Sequence, residues 1–333
     1  MPRRMLLPAR IAALSFLVLT SLGYAQDIRL RTRVELVVVP VSVRDKSGKL
    51  VGDLKQSDFS ISEAGKKQTI TQFSIDPVPL SAVVLVDTGI SEGALQRVKD
   101  SFPALLGALS EDDEVALYRF DKHVERLLDF TKDRLQMQKT FEQLQNATPS
   151  TSSIGGGPFS TPGPVINGTP VIPGVQAAGR SSAPPTKLLH DAMFEAAQYL
   201  GTRPIDHRRI IMLLSDGRNE NSLNSDDVVV DKLIMNEVLV FSLGVDTSLF
   251  QRLRSTLVSY AKATGGESWF PESQSAIELC YSLSTEAARN QYVLGYASTN
   301  KRPVTGTVFR EIKVQVARSG TEVRHRKGYY QVP

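Results

Sequence analysis

Three clusters of oxygen-bearing side chains lie in predicted loops and could together bind a cation. They are residues 87–91 (D-T-G-I-S), the hydroxyl of Thr186, and residues 215–217 (S-D-G). Hydroxyl and carboxylate oxygens that converge on one point suit a hard divalent ion. Mg²⁺ fits best, because it keeps several waters and needs few protein ligands. These residue types therefore predict a metal site, provided that the fold brings the three clusters to one edge.

Each of the two acidic clusters ends a buried strand. The apolar run 82–86 (A-V-V-L-V) stops at Asp87, and the run 209–215 (R-I-I-M-L-L-S) stops at Asp216. A continuous apolar run of this length is typical of a strand buried on both faces of a parallel sheet. Open α/β sheets bind ligands at the carboxyl ends of such strands. An isolated strand-Asp-turn is also typical of a simple helix cap, so the rest of the chain has to decide.

The region between residues 79 and 290 alternates strands with helices. The periodicity predicts strands at 82–86, 115–120, 124–130, 209–215, 238–245 and 268–270 and helices at 91–109, 133–145, 188–200, 225–236, 248–264 and 275–290. Alternation of this kind predicts an α/β fold with a doubly wound, mainly parallel sheet. The strand 124–130 is the expected antiparallel edge neighbour.

Both flanks of this region predict β structure. The N-terminal flank, 26–78, contains strands at 30–44, 59–62 and 68–75, and the C-terminal flank, 291–333, contains strands at 292–297, 308–316 and 321–330. Either flank alone is too small to bury a core. We therefore expect the two flanks to pair into one β-rich unit, since chain termini often lie close together.

The first 25 residues have the pattern of a secretory signal peptide. Three arginines precede the apolar run Ile11–Leu22, and small residues at Gly23 and Ala25 suit cleavage after Ala25. The apolar run is too short to span a bilayer comfortably, and no other stretch approaches that length. The sequence predicts a secreted, periplasmic or cell-envelope protein with no membrane span after signal removal. Its single cysteine, Cys280, cannot form an internal disulfide and is expected to be a small buried hydrophobe.

The charge balance argues against a nucleic-acid partner. The whole chain has 39 Lys and Arg against 35 Asp and Glu. The signal peptide holds three Arg and no acidic residue, so the mature chain has 36 against 35. A net charge near +1 gives no electrostatic reason to bind nucleic acid.

Residues 147–185 belong to neither pattern. They contain seven Gly and eight Pro, and Arg180 is their only charge. Such a segment cannot bury a core, so we predict a disordered insertion within the α/β region. The imperfect repeat P-V-I-N-G and P-V-I-P-G leaves a peptide-like docking site as the alternative.

The ordered motifs resemble a known family. V-P-V-S-V-R-D-K-S-G-K, D-F-S-I-S-E-A-G-K-K-Q-T-I-T-Q-F-S, S-D-G, A-T-G-G, Q-Y-V-L-G-Y and R-K-G-Y-Y are similar to the secreted bacterial von Willebrand factor A-related proteins described from acidobacteria. The resemblance covers residues 28–332 apart from the insertion. It implies an A-domain fold and a metal-ion-dependent adhesion site with the pattern Asp-x-Ser-x-Ser, a distant Thr and a distant Asp.

On this resemblance the metal ligands are Asp87, Ser91, Thr186 and Asp216. Thr186 lies in P-P-T-K-L-L-H-D-A, where relatives tend to carry G-G-T-A-L-Y-D-A. The middle serine of the motif is replaced by Gly89, which supplies no hydroxyl, so a water would take its place. The implied cofactor is Mg²⁺, or Mn²⁺ or Ca²⁺, at a degenerate site. Asp191 is expected to act through helix-start electrostatics rather than as a ligand.

The sequence is compatible with three functions. In A domains that use such a site, the cation accepts a carboxylate from a partner, so the first hypothesis is a protein-binding adhesion module with an acidic partner. The second is a structural envelope protein whose metal site has decayed, which Gly89 favours. The third, a metal-dependent hydrolase, is the weakest, because the sequence has no Ser-His-acid motif, no H-E-x-x-H motif and no phosphate-binding glycine loop. The four histidines are expected to be solvated or capping residues.

Overall fold

The computed structural model describes residues 36–145, 165–166, 169–170, 187–246 and 251–333. The strands are β1 Leu36–Arg44, β2 Phe59–Glu63, β3 Lys66–Gln68, β4 Ile70–Ser74, β5 Leu80–Asp87, β6 Glu114–Phe120, β7 Val124–Thr131, β8 Val165–Ile166, β9 Thr169–Pro170, β10 Arg208–Ser215, β11 Leu239–Gly244, β12 Ser268–Trp269, β13 Tyr292–Ala297, β14 Val308–Val316, β15 Glu322–His325 and β16 Gly328–Gln331. The helices are α1 Glu92–Ala108, α2 Arg134–Gln145, α3 Leu189–Leu200, α4 Asp226–Met235, α5 Gln251–Thr264 and α6 Gln274–Arg289.

The central sheet has six strands in the order β12-β11-β10-β5-β6-β7. All neighbours are parallel except the edge pair β6 and β7, which is antiparallel. The chain moves outward from β5 in both directions, to β6 on one side and to β10 on the other. The crevice between the carboxyl ends of β5 and β10 is therefore the place where a doubly wound sheet binds ligands.

Strand β5 is buried along its whole length because helices cover both faces of the sheet. Ala82, Val84 and Val86 face one core, which also contains buried residues of α1, α2 and α6. Val83 and Leu85 face a second core, built with α3, α4 and α5. This double burial explains the uninterrupted apolar run, and the predicted doubly wound α/β fold is confirmed.

The terminal flanks build two antiparallel sheets that pack against each other. One sheet has the order β15-β1-β13-β4 and the other has β16-β14-β2-β3, so both contain N-terminal and C-terminal strands. Their inner faces share a third core that includes Val39, Ile61, Leu294 and Ile312. The predicted β-rich unit from both flanks is thus present. Residues 36–333 form one compact unit, and the boundaries at 78/79 and 290/291 stay predictions.

The single strand predicted at 321–330 is wrong. It divides into β15, which pairs with β1, and β16, which pairs with β14 in the other sheet. Between the two strands, the Lys327 N–H donates to the carbonyl of Ala263 at the end of α5, and the buried Arg326 ion-pairs with Glu237. The backbone leaves the first ladder because these contacts attach it to the helical layer.

Several predicted features lie outside the described residues. They are the signal peptide 1–25, Thr186, and the insertion 147–185 except for the two-residue strands β8 and β9, which pair antiparallel. Within the described part, Cys280 is buried as expected, and this burial raises the pKa of its thiol to about 11. No described helix combines the length and apolar character that crossing a membrane requires.

Candidate cation site at the carboxyl edge of the sheet

Asp87 is the innermost acidic group of the site. It ends β5 and its side chain is fully buried. Three donors surround its carboxylate: the Lys187 ammonium at 2.8 Å and the Ser215 hydroxyl at 2.7 Å on Oδ2, and the Gly89 N–H at 2.9 Å on Oδ1. Burial raises the pKa of Asp87 to about 6, while the ammonium of Lys187 opposes that rise.

Asp216 is the second acidic group and directly follows β10. Its Oδ1 accepts hydrogen bonds from Lys187 Nζ at 2.9 Å and from the Arg218 N–H at 2.9 Å. The turn depends on Gly217, whose φ is +83° and whose missing Cβ would lie 2.5 Å from the Leu253 carbonyl oxygen. Only glycine accepts both constraints, so the S-D-G motif fixes the direction of Asp216.

Lys187 joins the two carboxylates. Its side chain is only 6% exposed, and its Nζ lies 2.8 Å from Asp87 and 2.9 Å from Asp216. Its backbone is fixed by a two-way bridge to Glu220, with N–H to carbonyl distances of 2.9 and 2.8 Å, and by the following N–H, which donates to Asp121. A single ammonium therefore bridges two buried acids.

Gly89 lies over the lysine side chain. A Cβ built on Gly89 would come 3.2 Å from Lys187 Cε and 3.4 Å from Asp87 Oδ1. The φ of Gly89 is not in the left-handed range, so the backbone itself does not demand glycine here. The absence of a side chain at this position leaves the space through which Lys187 reaches the carboxylates.

Ser91 takes part in a different contact. It is exposed at the start of α1, and its N–H donates to Asp246 Oδ2 at 3.1 Å. The structure thus brings together Asp87 and Asp216 of the predicted ligand set, and it adds Ser215 and Lys187. Thr186 lies outside the described residues, so the full ligand set stays a prediction.

We tested whether this edge fits the divalent ion that the family resemblance implies. Among the residues that the structure describes, no three or more His, Cys, Asp or Glu side chains are grouped so that they could hold a metal ion, but the predicted ligand set contains only two such side chains, so the contacts of those two decide the fit. The two carboxylates instead share the ammonium of Lys187 at hydrogen-bond distance. A divalent ion and an ammonium cannot occupy the same point between two oxygens, so the residues in this arrangement do not fit a metal.

Asp191 stabilises the loop that leaves the site. Its carboxylate accepts hydrogen bonds from the N–H groups of Leu223 and Asn224, each at 2.9 Å, and from the Asn224 side chain at 2.7 Å. It lies in the first turn of α3, as expected for helix-start electrostatics, but its main contacts are with the loop. This fixes residues 217–225 beside Asp216 and leaves Leu223 fully open to solvent.

The opposite, amino end of the sheet contains a serine, a histidine and an acid that sequence analysis missed. Ser81 Oγ lies 2.6 Å from Glu114 Oε1 and 3.1 Å from His207 Nδ1. Ser81 is fully buried and donates directly to the glutamate, whose two oxygens also bind Arg203 at 2.7 and 2.6 Å. The histidine does not stand between hydroxyl and acid, so the arrangement is a buried hydrogen-bond network rather than a nucleophile with its base.

The other three histidines have structural contacts of their own. His190 contacts the carbonyl of Asn224, and His123 is exposed in the β6–β7 turn. His325 accepts from the Val314 N–H at 3.1 Å and contacts the Arg326 carbonyl at 2.7 Å; burial lowers its pKa. These contacts supply no general base to the carboxyl edge.

Lys187 is a residue of the candidate site that sequence analysis missed. Two departures from the family pattern pointed to it: glycine at position 89 where the motif has serine, and lysine at position 187 where relatives tend to carry alanine. Considered separately, the first suggests a missing ligand and the second an ordinary exposed residue. In the structure the two positions are neighbours, since a Cβ added at Gly89 would come 3.2 Å from Lys187 Cε.

No protein-family model matches this chain, and no curated protein matches its sequence. Among solved structures, the chain is similar to an aerotolerance-related membrane protein from Bacteroides fragilis, with 13% identity over 62% of this chain and 98% of that one and a TM-score of 0.42. It is similar to the manganese-loaded TRAP protein of Plasmodium vivax, with 12% identity over 82% and 99% of the two chains and a TM-score of 0.43.

A third similar structure is a von Willebrand factor type A protein from Catenulispora acidiphila. The identity is 9%, over 91% of this chain and 75% of that one, with a TM-score of 0.43. Similarities at this level carry no argument about metal, partner or activity. The α/β assignment rests on the strand order of the chain itself, which is a doubly wound sheet with one antiparallel edge and two flanking antiparallel sheets.

Proposed function

We propose that this chain is an exported protein-binding module of the von Willebrand A type that uses the carboxyl edge of its central sheet. The observation that supports it is the cluster of Asp87, Asp216 and Lys187 at the switch point between β5 and β10. The cluster is too closed for chemistry on a small substrate, but it holds the surrounding loops in fixed positions. A fixed set of loops on a rigid sheet is a common basis for protein recognition.

The partner in this proposal carries an acidic side chain, which contacts Arg218. The guanidinium of Arg218 is 40% exposed beside the site, and its Nε lies 3.5 Å from Asp216 Oδ2. The exposed Leu223 lies on the same loop and supplies an apolar contact. Arginine beside an apolar anchor is a frequent energetic centre of protein interfaces. Here the exposed arginine takes the role that a metal ion has in related sites.

The proposal includes the location and the domain division. Residues 1–25 direct export and are removed, so the mature chain works in the envelope or outside the cell. Residues 79–290 form the binding domain, the flanks 26–78 and 291–333 form the β-rich support, and residues 147–185 are a dispensable insertion. The pattern of three arginines, an apolar run and small residues supports the export step.

The proposal is tested by capturing partners from envelope extract on immobilised mature protein and quantifying them by mass spectrometry. Arg218→Gln should reduce the captured partner by about tenfold to a hundredfold, because a charge-assisted hydrogen bond is lost. Lys139→Gln, which removes the charge of an exposed lysine on α2, is the matched control and should leave the amount of captured partner unchanged. Chelator in the wash should leave capture intact.

Equal capture by the wild type and by Arg218→Gln would contradict this binding surface. A wild type that stays folded and retains no specific partner would favour the second candidate, a structural envelope protein with a vestigial site. One observation supports that alternative: Lys187 already neutralises part of the acidic cluster from within.

A further inference from the structure

A positive charge between the buried carboxylates of Asp87 and Asp216 is needed to stabilise them. Both carboxylates are buried, with exposed side-chain fractions of 0% and 3%. Two like charges this close raise each other's energy when water is excluded, and a positive charge between them removes most of that repulsion. The ammonium of Lys187 supplies the charge at distances of 2.8 and 2.9 Å.

Backbone hydrogen bonds position Lys187 so that its ammonium lies between the two carboxylates. Its N–H and carbonyl both bond to Glu220, and the next residue bonds to Asp121 on a different loop. Two other loops of the edge therefore hold the backbone around its Cα. An ion that is covalently attached and pre-positioned has a high effective concentration, so free metal in solution competes poorly with it.

Gly89 provides the matching space. A Cβ at this position would approach Lys187 Cε to 3.2 Å, which is closer than most side chains tolerate, whereas the backbone of Gly89 is compatible with other residues. A hydroxyl-bearing side chain at position 89 and a lysine stem at position 187 therefore compete for one volume. Glycine at 89 and lysine at 187 form a matched pair.

We propose that Lys187 is a built-in cation that replaces a divalent metal at this edge, and that Gly89 makes room for it. The wild type then binds no divalent ion at Asp87 and Asp216. Gly89→Ser alone does not create a metal site, because the ammonium remains in place. Removing the ammonium opens the point between the carboxylates to Mg²⁺ or Mn²⁺. The inference concerns the same edge as the proposed function but does not depend on any partner.

The test compares the mature wild type with Lys187→Ala, Gly89→Ser/Lys187→Ala and Asp216→Asn/Lys187→Ala. Mn²⁺ binding is measured by electron paramagnetic resonance and by calorimetry, and stability by thermal melting with Mn²⁺ or chelator. The wild type should show no saturable Mn²⁺ site and no change in melting temperature. Lys187→Ala should melt lower, by roughly 5 °C or more, and should recover in a saturable way with Mn²⁺.

The double variant Gly89→Ser/Lys187→Ala tests whether a hydroxyl at position 89 adds a ligand. Restoring the hydroxyl in Gly89→Ser/Lys187→Ala should tighten Mn²⁺ binding by up to about 30-fold relative to Lys187→Ala, because a direct ligand replaces an ordered water. Asp216→Asn/Lys187→Ala should lose the Mn²⁺ response. Lys139→Ala, exposed on α2, controls for the loss of a lysine elsewhere and should behave like the wild type.

Two outcomes would overturn the inference. One is a saturable Mn²⁺ site in the wild type that disappears in Asp216→Asn, a measurement that needs no lysine variant to fold. The other is a folded Lys187→Ala protein that ignores Mn²⁺ as the wild type does. Should Lys187→Ala fail to fold without metal, folding in the presence of Mn²⁺ supports the inference, and failure in both conditions counts against it.

Discussion

The two ends of the central sheet neutralise their buried carboxylates in different ways. At the amino end, Glu114 receives a two-pronged contact from Arg203, with distances of 2.7 and 2.6 Å. One acid there meets one cation. At the carboxyl end, Asp87 and Asp216 share the single ammonium of Lys187. The acids there outnumber the buried cation by one.

The difference follows from the shapes of the two cations. A guanidinium is a planar fork that matches one carboxylate, so it closes a local contact. An ammonium is a compact point charge that can sit between two carboxylates, as a metal ion does. The contact at the amino end is therefore a closed pair of one acid and one cation. The carboxyl end keeps an unbalanced negative charge, which the exposed Arg218 partly offsets.

The pKa values of the buried acids at the two ends also shift in opposite directions. At the carboxyl end, burial raises the pKa of Asp87 to about 6 despite the ammonium beside it. At the amino end, burial acts in the same direction on Glu114, but hydrogen bonds from Arg203 and Ser81 outweigh it and lower the pKa of Glu114. Asp87 is the more deeply buried of the two acids and lies beside a second carboxylate, so its pKa rises although an ammonium is in contact with it.

Removing the shared lysine should have the largest effect. Lys187→Met leaves two buried carboxylates without their cation, so we expect the free energy of unfolding to fall by about 3–5 kcal/mol. Chemical denaturation at neutral pH measures it. Lys139→Met, an exposed lysine on α2, should stay within about 0.5 kcal/mol of the wild type. A loss for Lys187→Met as small as that of the control would show that the ammonium is not needed.

The pH dependence of stability should separate the two ends next. The folded pKa of Asp87, about 6, exceeds its ordinary value of 3.8, so the folded state binds the proton more tightly between these pH values. Relative to Asp87→Asn, the wild type should therefore lose stability as the pH rises from about 4 to 7, by at most about 3 kcal/mol.

Glu114 should give the opposite slope. Its folded pKa lies below the ordinary value of 4.5, so its stabilising contribution is present above that pH and is lost on acidification. Relative to Glu114→Gln, the wild type should lose stability as the pH falls below about 4.5. Denaturation at a series of pH values tests both predictions, by comparing the wild type with Asp87→Asn and with Glu114→Gln. If relative stability changed with pH in the same direction for both comparisons, the two ends would not differ as proposed.

Breaking the arginine fork should cost less than removing the shared lysine. Arg203→Met removes two charge-assisted hydrogen bonds from Glu114, whereas Ser81 still donates to it, so we expect a loss of about 1.5–3 kcal/mol. The Arg203 side chain is 26% exposed, which lets water replace part of the contact. The melting temperature of Arg203→Met should not change when Mn²⁺ is added. A metal response there would mean that Mn²⁺ rescue is not specific to the carboxyl end.

Adding a single methyl group at position 89 should change the free energy of unfolding least. Gly89→Ala places a Cβ 3.2 Å from Lys187 Cε, so we expect a loss of about 1 kcal/mol as the lysine stem shifts. Gly93→Ala in the first turn of α1 is the matched control, because its Cβ meets only Arg97 at 3.9 Å. It should be neutral or stabilising by up to about 1 kcal/mol. Equal effects at both positions would remove the argument that Gly89 makes room for Lys187.

Much of the fold could be predicted because its signals are local. Residues 82–86 carry enough apolar side chain to identify a strand buried on both faces, and the 3.6-residue periodicity identified every helix from α1 to α6. The division of the last strand could not be predicted. It depends on Lys327 and Arg326, whose partners Ala263 and Glu237 lie in a different layer of the structure.

At the site, the apolar runs before Asp87 and Asp216 were enough to predict that each acid ends a buried strand of one parallel sheet, which places the two carboxylates at the same edge. The identity of the cation between them depends on long-range contacts that no local pattern encodes. Lys187 is 29 residues from Asp216 in the chain, and its flexible four-carbon stem gives no periodic signal. Its contact with both acids exists because Glu220 and Asp121 hold its backbone over the crevice and Gly89 leaves its stem room to enter.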